Sequence, residues 1–560
     1  MKKQHLYFFS LIIAWLFAAS CANIVTPSGG PRDVTPPMVV NSDPKMNTKN
    51  FEGKTVKISF NEFVQLNDIA KNVIISPFTE ETPDIKIRGK SVVVEFNDSL
   101  KSNTTYSVGF GNAIADITEK NILSNYRFVF STGQNIDTLV IKGVVKNAFT
   151  QIPESDVFVM LYTQYEDSVP LKKTPYYLAK TEADGSFYFS SVHDNSFKIF
   201  ALKDVNSDYL FDQPNEKIAF LDTLIKPEVI DTTKDSISQY KNTVFNLNLF
   251  EEAPSVQRLL KASAIMYGKI NLIFRKPLEN YSLNEIIKKG SGYKVESNKT
   301  KDTLTLWMNN PEDDSLIIEV IDNKTILDTA EIGLMKKKTK TSGRGGGILP
   351  LHLKPNVSGN SSFDYYKPIT IEFSNPIVKH DFNKIIFTEN NKDTITPVIF
   401  FDSSNISTSD IILRKIKIDY KWKEGTNYSL FIPPATFRDM FDLPNDTLKI
   451  NFKTTENRDY GNIILQIHPK NINDHLLIQV VNEKDVAMDE KSIVGEGTIK
   501  FNFLKPGNYK IKVIVDTNNN GKWDTGNYLE KIQPEKVYYN PNSIQVKANW
   551  DMELEWNVEN

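Results

Sequence analysis

"TVKISFNEFVQL", Thr55–Leu66, decides how the rest of this chain is read. Val56, Ile58 and Phe60 alternate with Thr55, Lys57 and Ser59. A period of two puts one set of side chains on a single face of a strand, and the β-branched and aromatic content favours that state. The pattern returns in "SVVVEF" (91–96), "YRFVFST" (126–132), "TLVIKGVV" (138–145) and "SFKIFAL" (196–202). It returns again in "PITIEF" (368–373), "NIILQI" (462–467) and "YKIKVIV" (509–515). Clusters of Asn, Asp, Gly and Pro separate these runs, as turns require. "SLNEIIKKG", Ser282–Gly290, reads as one of the few helical stretches. Short, regularly spaced strands predict an all-β chain of tandem β-sandwiches.

The chain has 560 residues, enough for several domains. It opens with Lys2 and Lys3, then the apolar run Leu6–Ala19, then "AASC" ending at Cys21. Residues 1–20 read as a signal peptide, too short for a comfortable membrane span. "AASC" resembles a bacterial lipobox, which implies lipidation (palmitate among the acyl chains) of Cys21 as the mature N-terminus. Cys21 is the one cysteine, so disulfides and thiol chemistry are excluded from the rest. Residues 21–33, rich in Pro, Gly, Ser and Thr, read as the lipidated tether. The expected location is the outer membrane, lipid-anchored, with periplasmic face and cell surface both open. The formal charge of −3 becomes −5 once Lys2 and Lys3 are removed. Mixed charge along the chain implies neither nucleic acid nor acidic lipid as partner.

Repeats set the organisation. The unit at 34–133 carries "FNEFV" (60–64), "NTTY" (103–106) and a closing "FSTG" (130–133). It resembles the bacterial Ig-like domains of surface-layer proteins and of Bacteroidota envelope lipoproteins. A second copy at 351–456 matches "VKISFNEFVQ" with "ITIEFSNPIV", and "IADITEKN" with "FRDMFDLPND". Residues 253–334 read as a degenerate third copy, and 335–350, "MKKKTKTSGRGGGILP", as a basic Gly-rich linker. Two other units, 138–250 and 459–560, resemble prealbumin-like or carboxypeptidase-regulatory-like sandwiches.

Both of these latter units carry an Asx-rich loop. "DTNNNGKWD" places Asp516, Asn518, Asn520, the Lys522 carbonyl and Asp524 at the spacing of a calcium loop, with Gly521 at the turn. The twelfth-position Glu is replaced by Asn527, and a strand precedes the loop, so it is not an EF-hand. Glu530 or Glu535 could supply further oxygens. "DVNSDYLFD" repeats the spacing at Asp204, Asn206, Asp208 and Asp212, with Tyr209 in the glycine position. Calcium at either loop would be structural, and an ordinary Asx turn is the alternative.

Catalytic frameworks are missing from the sequence. The six histidines are scattered, and there is no nucleophile elbow, P-loop or dinucleotide fingerprint. Trp422, Trp523, Trp550 and Trp556 are candidates for sugar stacking, but core or hairpin packing is the favoured reading. Asp-Ser/Thr followed by an apolar residue resembles the O-glycosylation sequon of Bacteroidota envelope proteins, which implies glycans at Ser99, Thr138, Thr303 and Thr447. The expected function is a non-enzymatic, lipid-anchored envelope scaffold that binds an outer-membrane protein such as a β-barrel complex. A surface adhesin or glycan-binding lipoprotein is the alternative.

Overall fold

The computed structural model describes residues 32–558 except 80, 98, 230–242, 287–291, 310, 312–313, 337–350, 391 and 403–411. Cys21 and most of the basic linker therefore lie outside the described residues. The described chain is nearly all β, as the alternating pattern requires. Among the described residues no helix is long and apolar enough to cross a membrane.

The N-terminal sandwich is a four-stranded sheet facing a three-stranded one. The first is ordered Val39–Asp43, Thr55–Phe60, Ser91–Glu95, Asp84–Arg88, and the second Ile74–Ser76, Thr105–Gly109, Arg127–Ser131. Val64–Leu66 pairs separately with Ile114–Asp116. Val56, Ile58 and Phe60 enter the core with Val92, Val94, Tyr106, Phe128 and Phe130. Burying each of these side chains contributes about 1.5–3 kcal/mol.

Residues 351–456 repeat this plan. Leu353–Pro355, Ile369–Phe373, Lys415–Asp419 and Val398–Phe401 form the four-stranded sheet. Ile386–Glu389, Asn427–Ile432 and Leu448–Thr454 form the facing ladder, here extended by Asp393–Ile395 and Ser361–Phe363. Ile377–His380 pairs with Phe437–Asp439. The details repeat as well. Tyr106 OH accepts the Lys101 N–H at 2.9 Å and Tyr428 OH accepts the Lys423 N–H at 3.1 Å. Asp116 and Asp439, both fully buried, gather the N–H groups of the turns that follow them.

Between 259 and 333 a four-stranded sheet (Leu259–Met266, Lys269–Phe274, Thr303–Met308, Tyr293–Ser297) faces Tyr281–Glu285, Ser315–Asp322 and Thr325–Gly333. The expected helix at Ser282–Gly290 is corrected here. Its first four residues lie in a strand paired with Ser315–Asp322. Leu283 lies opposite Val320 in that ladder and packs on the core, so alternation within the sheet overrides helix propensity.

The strands of the 138–250 unit form one seven-stranded ladder. It runs Tyr177–Lys180, Phe158–Tyr162, Lys198–Lys203, Lys217–Phe220, Val244–Glu251, Leu139–Asn147, Ser186–Val192. The C-terminal sandwich faces Gly497–Leu504, Gly461–Pro469 and Asp551–Val558 with a sheet centred on Gly507–Val515. By compactness the chain forms two units. The first holds Glu154–Phe211, Phe220–Leu247 and everything up to Val145, and the second holds Lys146–Pro153, Asp212–Ala219 and Asn248–Asn560.

Candidate functional site

The loop after Gly507–Val515 begins at Asp516, which is buried. Its carboxylate accepts the Asn520 N–H at 3.0 Å and the Gly521 N–H at 2.7 Å. Gly521 sits at φ 76°, a left-handed conformation that costs glycine nothing. Asn518 donates its side-chain amide to Asp524 at 2.6 Å, and the Asn520 amide donates to the same oxygen. Asp524 is held below the usual carboxylate range. Burial opposes its charge, but the bonds from Asn518 and Asn520 and the nearby Lys522 outweigh that.

A further oxygen-bearing group is Glu535. It is buried, and one carboxylate oxygen accepts the Thr517 N–H at 2.7 Å and the Thr517 hydroxyl at 2.9 Å. The other accepts the Asp524 N–H at 3.0 Å. Of the two expected oxygen donors, Glu535 reaches the loop. The Glu530 side chain is exposed, and its N–H bonds Asn527 at 3.1 Å.

The earlier loop uses the same first bond. Asp204 accepts the Ser207 N–H at 2.6 Å and the Tyr209 N–H at 2.9 Å, so the carboxylate again holds the N–H five residues on. Tyr209 adopts φ 62° in the glycine position. A non-glycine residue there costs about 1–2 kcal/mol. Its ring meets Phe78 at 5.4 Å and Phe158 at 5.1 Å, both edge-on, and such pairs return about 0.5–1.5 kcal/mol each. Asn206 donates to Asp208 at 2.9 Å. Further on, the Asp212 N–H donates to Glu216, which is buried. Glu216 thus does for Asp212 what Glu535 does for Asp524. The sequence reading missed Glu216. The one signal was an acidic residue shortly before a strand in both units.

Chemically, each loop is a set of hard oxygen donors organised around backbone N–H groups. Among the described residues no group of three or more His, Cys, Asp or Glu side chains stands close enough to hold a metal ion. Asp516, Asp524 and Glu535 each point their oxygens at N–H or amide donors instead.

Two of the four candidate tryptophans pack in cores, the favoured reading of them. Trp422 is buried in the core of the 351–456 sandwich, with its indole N–H on the Lys367 carbonyl at 3.1 Å. Trp556 is buried in the C-terminal core. Trp523 is half-buried against Phe149, ring centroids 5.0 Å apart. Trp550 is 59% exposed. Of the sequon positions, Ser99, Thr138 and Thr447 are exposed. Thr303 is half-buried, and its hydroxyl donates to Asp302 at 3.0 Å.

The other polar arrangements of note join sandwiches within the second unit. Arg414 grips both oxygens of Glu296, at 3.0 and 2.9 Å, and Glu296 also accepts the Trp307 indole N–H at 2.8 Å. Trp307 is buried together with Ile412 and Phe441. Tyr366 stacks on Phe503 at 4.1 Å, and Tyr460 meets both rings edge-on. On the C-terminal sandwich, Lys512 is buried, its ammonium 3.3 Å from the Phe149 ring centre and 3.4 Å from Asp485. Thr525 and Tyr528 bond Glu251 and Glu252 at 2.6 Å each.

Residues 33–132 match the bacterial Ig-like domain family. Comparison with curated proteins gives no match. Among solved structures, the surface-layer protein rSbsC is similar at 10% identity, covering 91% of this chain and 67% of its own, with a TM-score of 0.14. BcpA, the major pilin subunit of Bacillus cereus, is similar at 12% identity over 75% of this chain and 99% of its own, TM-score 0.14. The Bacillus anthracis TIE protein is similar at 9% identity over 95% and 76%, TM-score 0.15.

Proposed function

We propose that this protein is a non-catalytic cell-envelope scaffold, anchored in the outer membrane through lipid on Cys21. It would act by protein–protein contact as an accessory subunit of an outer-membrane β-barrel complex. The observation that carries the reading is the set of joints between sandwiches. Arg414, Glu296 and Trp307 form a charge-assisted joint, and Tyr366, Phe503 and Tyr460 an aromatic one. One Arg414 nitrogen bridges both Glu296 oxygens while the other two hold the Phe373 carbonyl, so charge-assisted bonds fix the guanidinium from two sides. Side chains spent on joints of this kind suit a frame that presents edge strands and loops in a set arrangement. The bacterial Ig-like match at 33–132 supports an extracytoplasmic setting.

The test is affinity isolation of the full chain from detergent-solubilised membranes. Stoichiometric recovery of a barrel protein, lost when Cys21→Ala releases the chain from the membrane, is expected. Recovery of the chain alone would overturn the scaffold reading. Calcium at the two Asx-rich loops, and glycans at Ser99, Thr138, Thr303 and Thr447, belong to the same proposal. The metal would neutralise the loop carboxylates of a fold that has no disulfide to staple it.

A further inference from the structure

A cleft of about 480 Å³ opens within the first compact unit, between the N-terminal sandwich and strands Tyr177–Lys180 and Ser186–Val192. That volume falls in the range of small-molecule sites. Arg127, at the start of its strand, lines the cleft. Its guanidinium donates to Ser190 Oγ and lies 5.8 Å from the centre of the Tyr188 ring. Among the described residues it makes no ion pair. Burial works against its charge, yet arginine does not lose its proton in a protein. A half-buried guanidinium facing a cavity without a counter-ion costs free energy that an incoming anion would recover.

Two more cations line the same space, Lys71 and Lys180. Lys180 is spent on Asp156 at 2.8 Å. Lys71 makes no ion pair among the described residues, and Glu182, also on the lining, makes none with Arg127. With Lys180 on Asp156, Arg127 and Lys71 outweigh the single carboxylate left unpaired among the described residues of the lining, Glu182, so the cleft keeps one net positive charge, and Lys71 also acts on Asp156 without touching it. Around it are neutral hydrogen-bonding groups. The side-chain amides of Asn112 and Asn125 line the cleft without a partner among the described residues, and the Tyr188 ring is 42% exposed. A planar guanidinium suits a carboxylate, free amides suit hydroxyls, and a part-exposed tyrosine ring suits a pyranose ring.

We propose that this cleft is a binding site for an acidic saccharide, with Arg127 and Lys71 taking the carboxylate of a hexuronic acid. Asn112 and Asn125 take ring hydroxyls, and Tyr188 packs on the sugar face. This goes beyond the scaffold reading and does not depend on it.

The experiment is calorimetric titration of the full chain with digalacturonate and with its dimethyl ester, which keeps the sugar and removes the charge. Digalacturonate is expected to bind at least about tenfold more tightly than the ester, since charge-assisted bonds are the stronger ones. Arg127→Gln and Lys71→Gln should each weaken the acid about tenfold and leave the ester unchanged. Lys71→Gln leaves the Arg127–Ser190 bond in place, so its effect is free of any loss of packing between the sandwiches. Equal binding of acid and ester, or binding of neither, would overturn the proposal. Displacement of digalacturonate by acetate at equal concentration would overturn the saccharide assignment.

Discussion

At the residue scale, the Asx-rich loop depends on a side chain distant in sequence. Glu535 closes it by accepting two N–H groups and a hydroxyl. Glu535→Ala should therefore destabilise the C-terminal sandwich by about 1.5–3 kcal/mol, the worth of hydrogen bonds to a charged group, read from its denaturant transition. Gly521→Ala should cost about 1 kcal/mol in the same measurement, because φ is 76° while a Cβ would meet nothing within 4 Å. If calcium binds, EGTA will lower the melting temperature of the full chain, and Asp516→Ala will abolish that response. An unchanged melting temperature in EGTA would reduce the loop to an Asx turn. The spacing of Asp516, Asn518, Asn520 and Asp524 was legible in the sequence. The role of Glu535 was half legible and that of Glu216 carried only the weak signal of an acidic residue just before a strand, because the two do not follow their loops at one spacing. Tyr209 looked hostile to the turn, since the Phe78 and Phe158 rings that hold it are far away in the chain.

At the element scale, period-two alternation found the strands because one face of each is buried and the other is wet. It failed at Ser282–Glu285, where polar residues on the outer face imitate a helix. It also said nothing about which face of a strand carries a joint. The turn Tyr267–Gly268 is such a joint. Gly268 has φ 71°, and a Cβ there would lie 2.5 Å from the Phe441 ring and 2.6 Å from the Met308 carbonyl. Gly268→Ala combines backbone strain with overpacking and should destabilise the 259–333 sandwich by about 2–4 kcal/mol, seen as a lower denaturant midpoint. Packing was the favoured reading for the tryptophans and holds for Trp422 and Trp556, but sequence did not tell these two from the exposed Trp550.

At the scale of the whole molecule, repeat matching located a shared plan in residues 34–133 and 351–456, down to Tyr106 and Tyr428 over their loops. It could not reveal that Phe149 covers Lys512. Burial pulls the Lys512 ammonium below the ordinary lysine range, partly opposed by Asp485. The folded state thus binds this proton less tightly than the unfolded chain does. Stability contributed at this site must rise as pH climbs from the folded value towards about 10.4, the unfolded value. Lys512→Met should remove that rise, so the stability of the variant minus that of the wild type should fall as pH increases across this window. A difference constant in pH would show that the ammonium is not desolvated by Phe149.

The bond from Thr525 to the Glu251 carbonyl joins residues 274 apart, and that from Tyr528 to Glu252 joins residues 276 apart. Contacts of such separation form late, because the loop entropy must be met before they contribute. A chain emerging from its N-terminus can complete the sandwich at 34–133 at once. The seat of Phe149 and the partners of Glu251 and Glu252 do not exist until the last tenth of the polypeptide has appeared. Connectivity alone therefore makes the seating of Phe149 one of the last steps expected of a chain synthesised from its N-terminus.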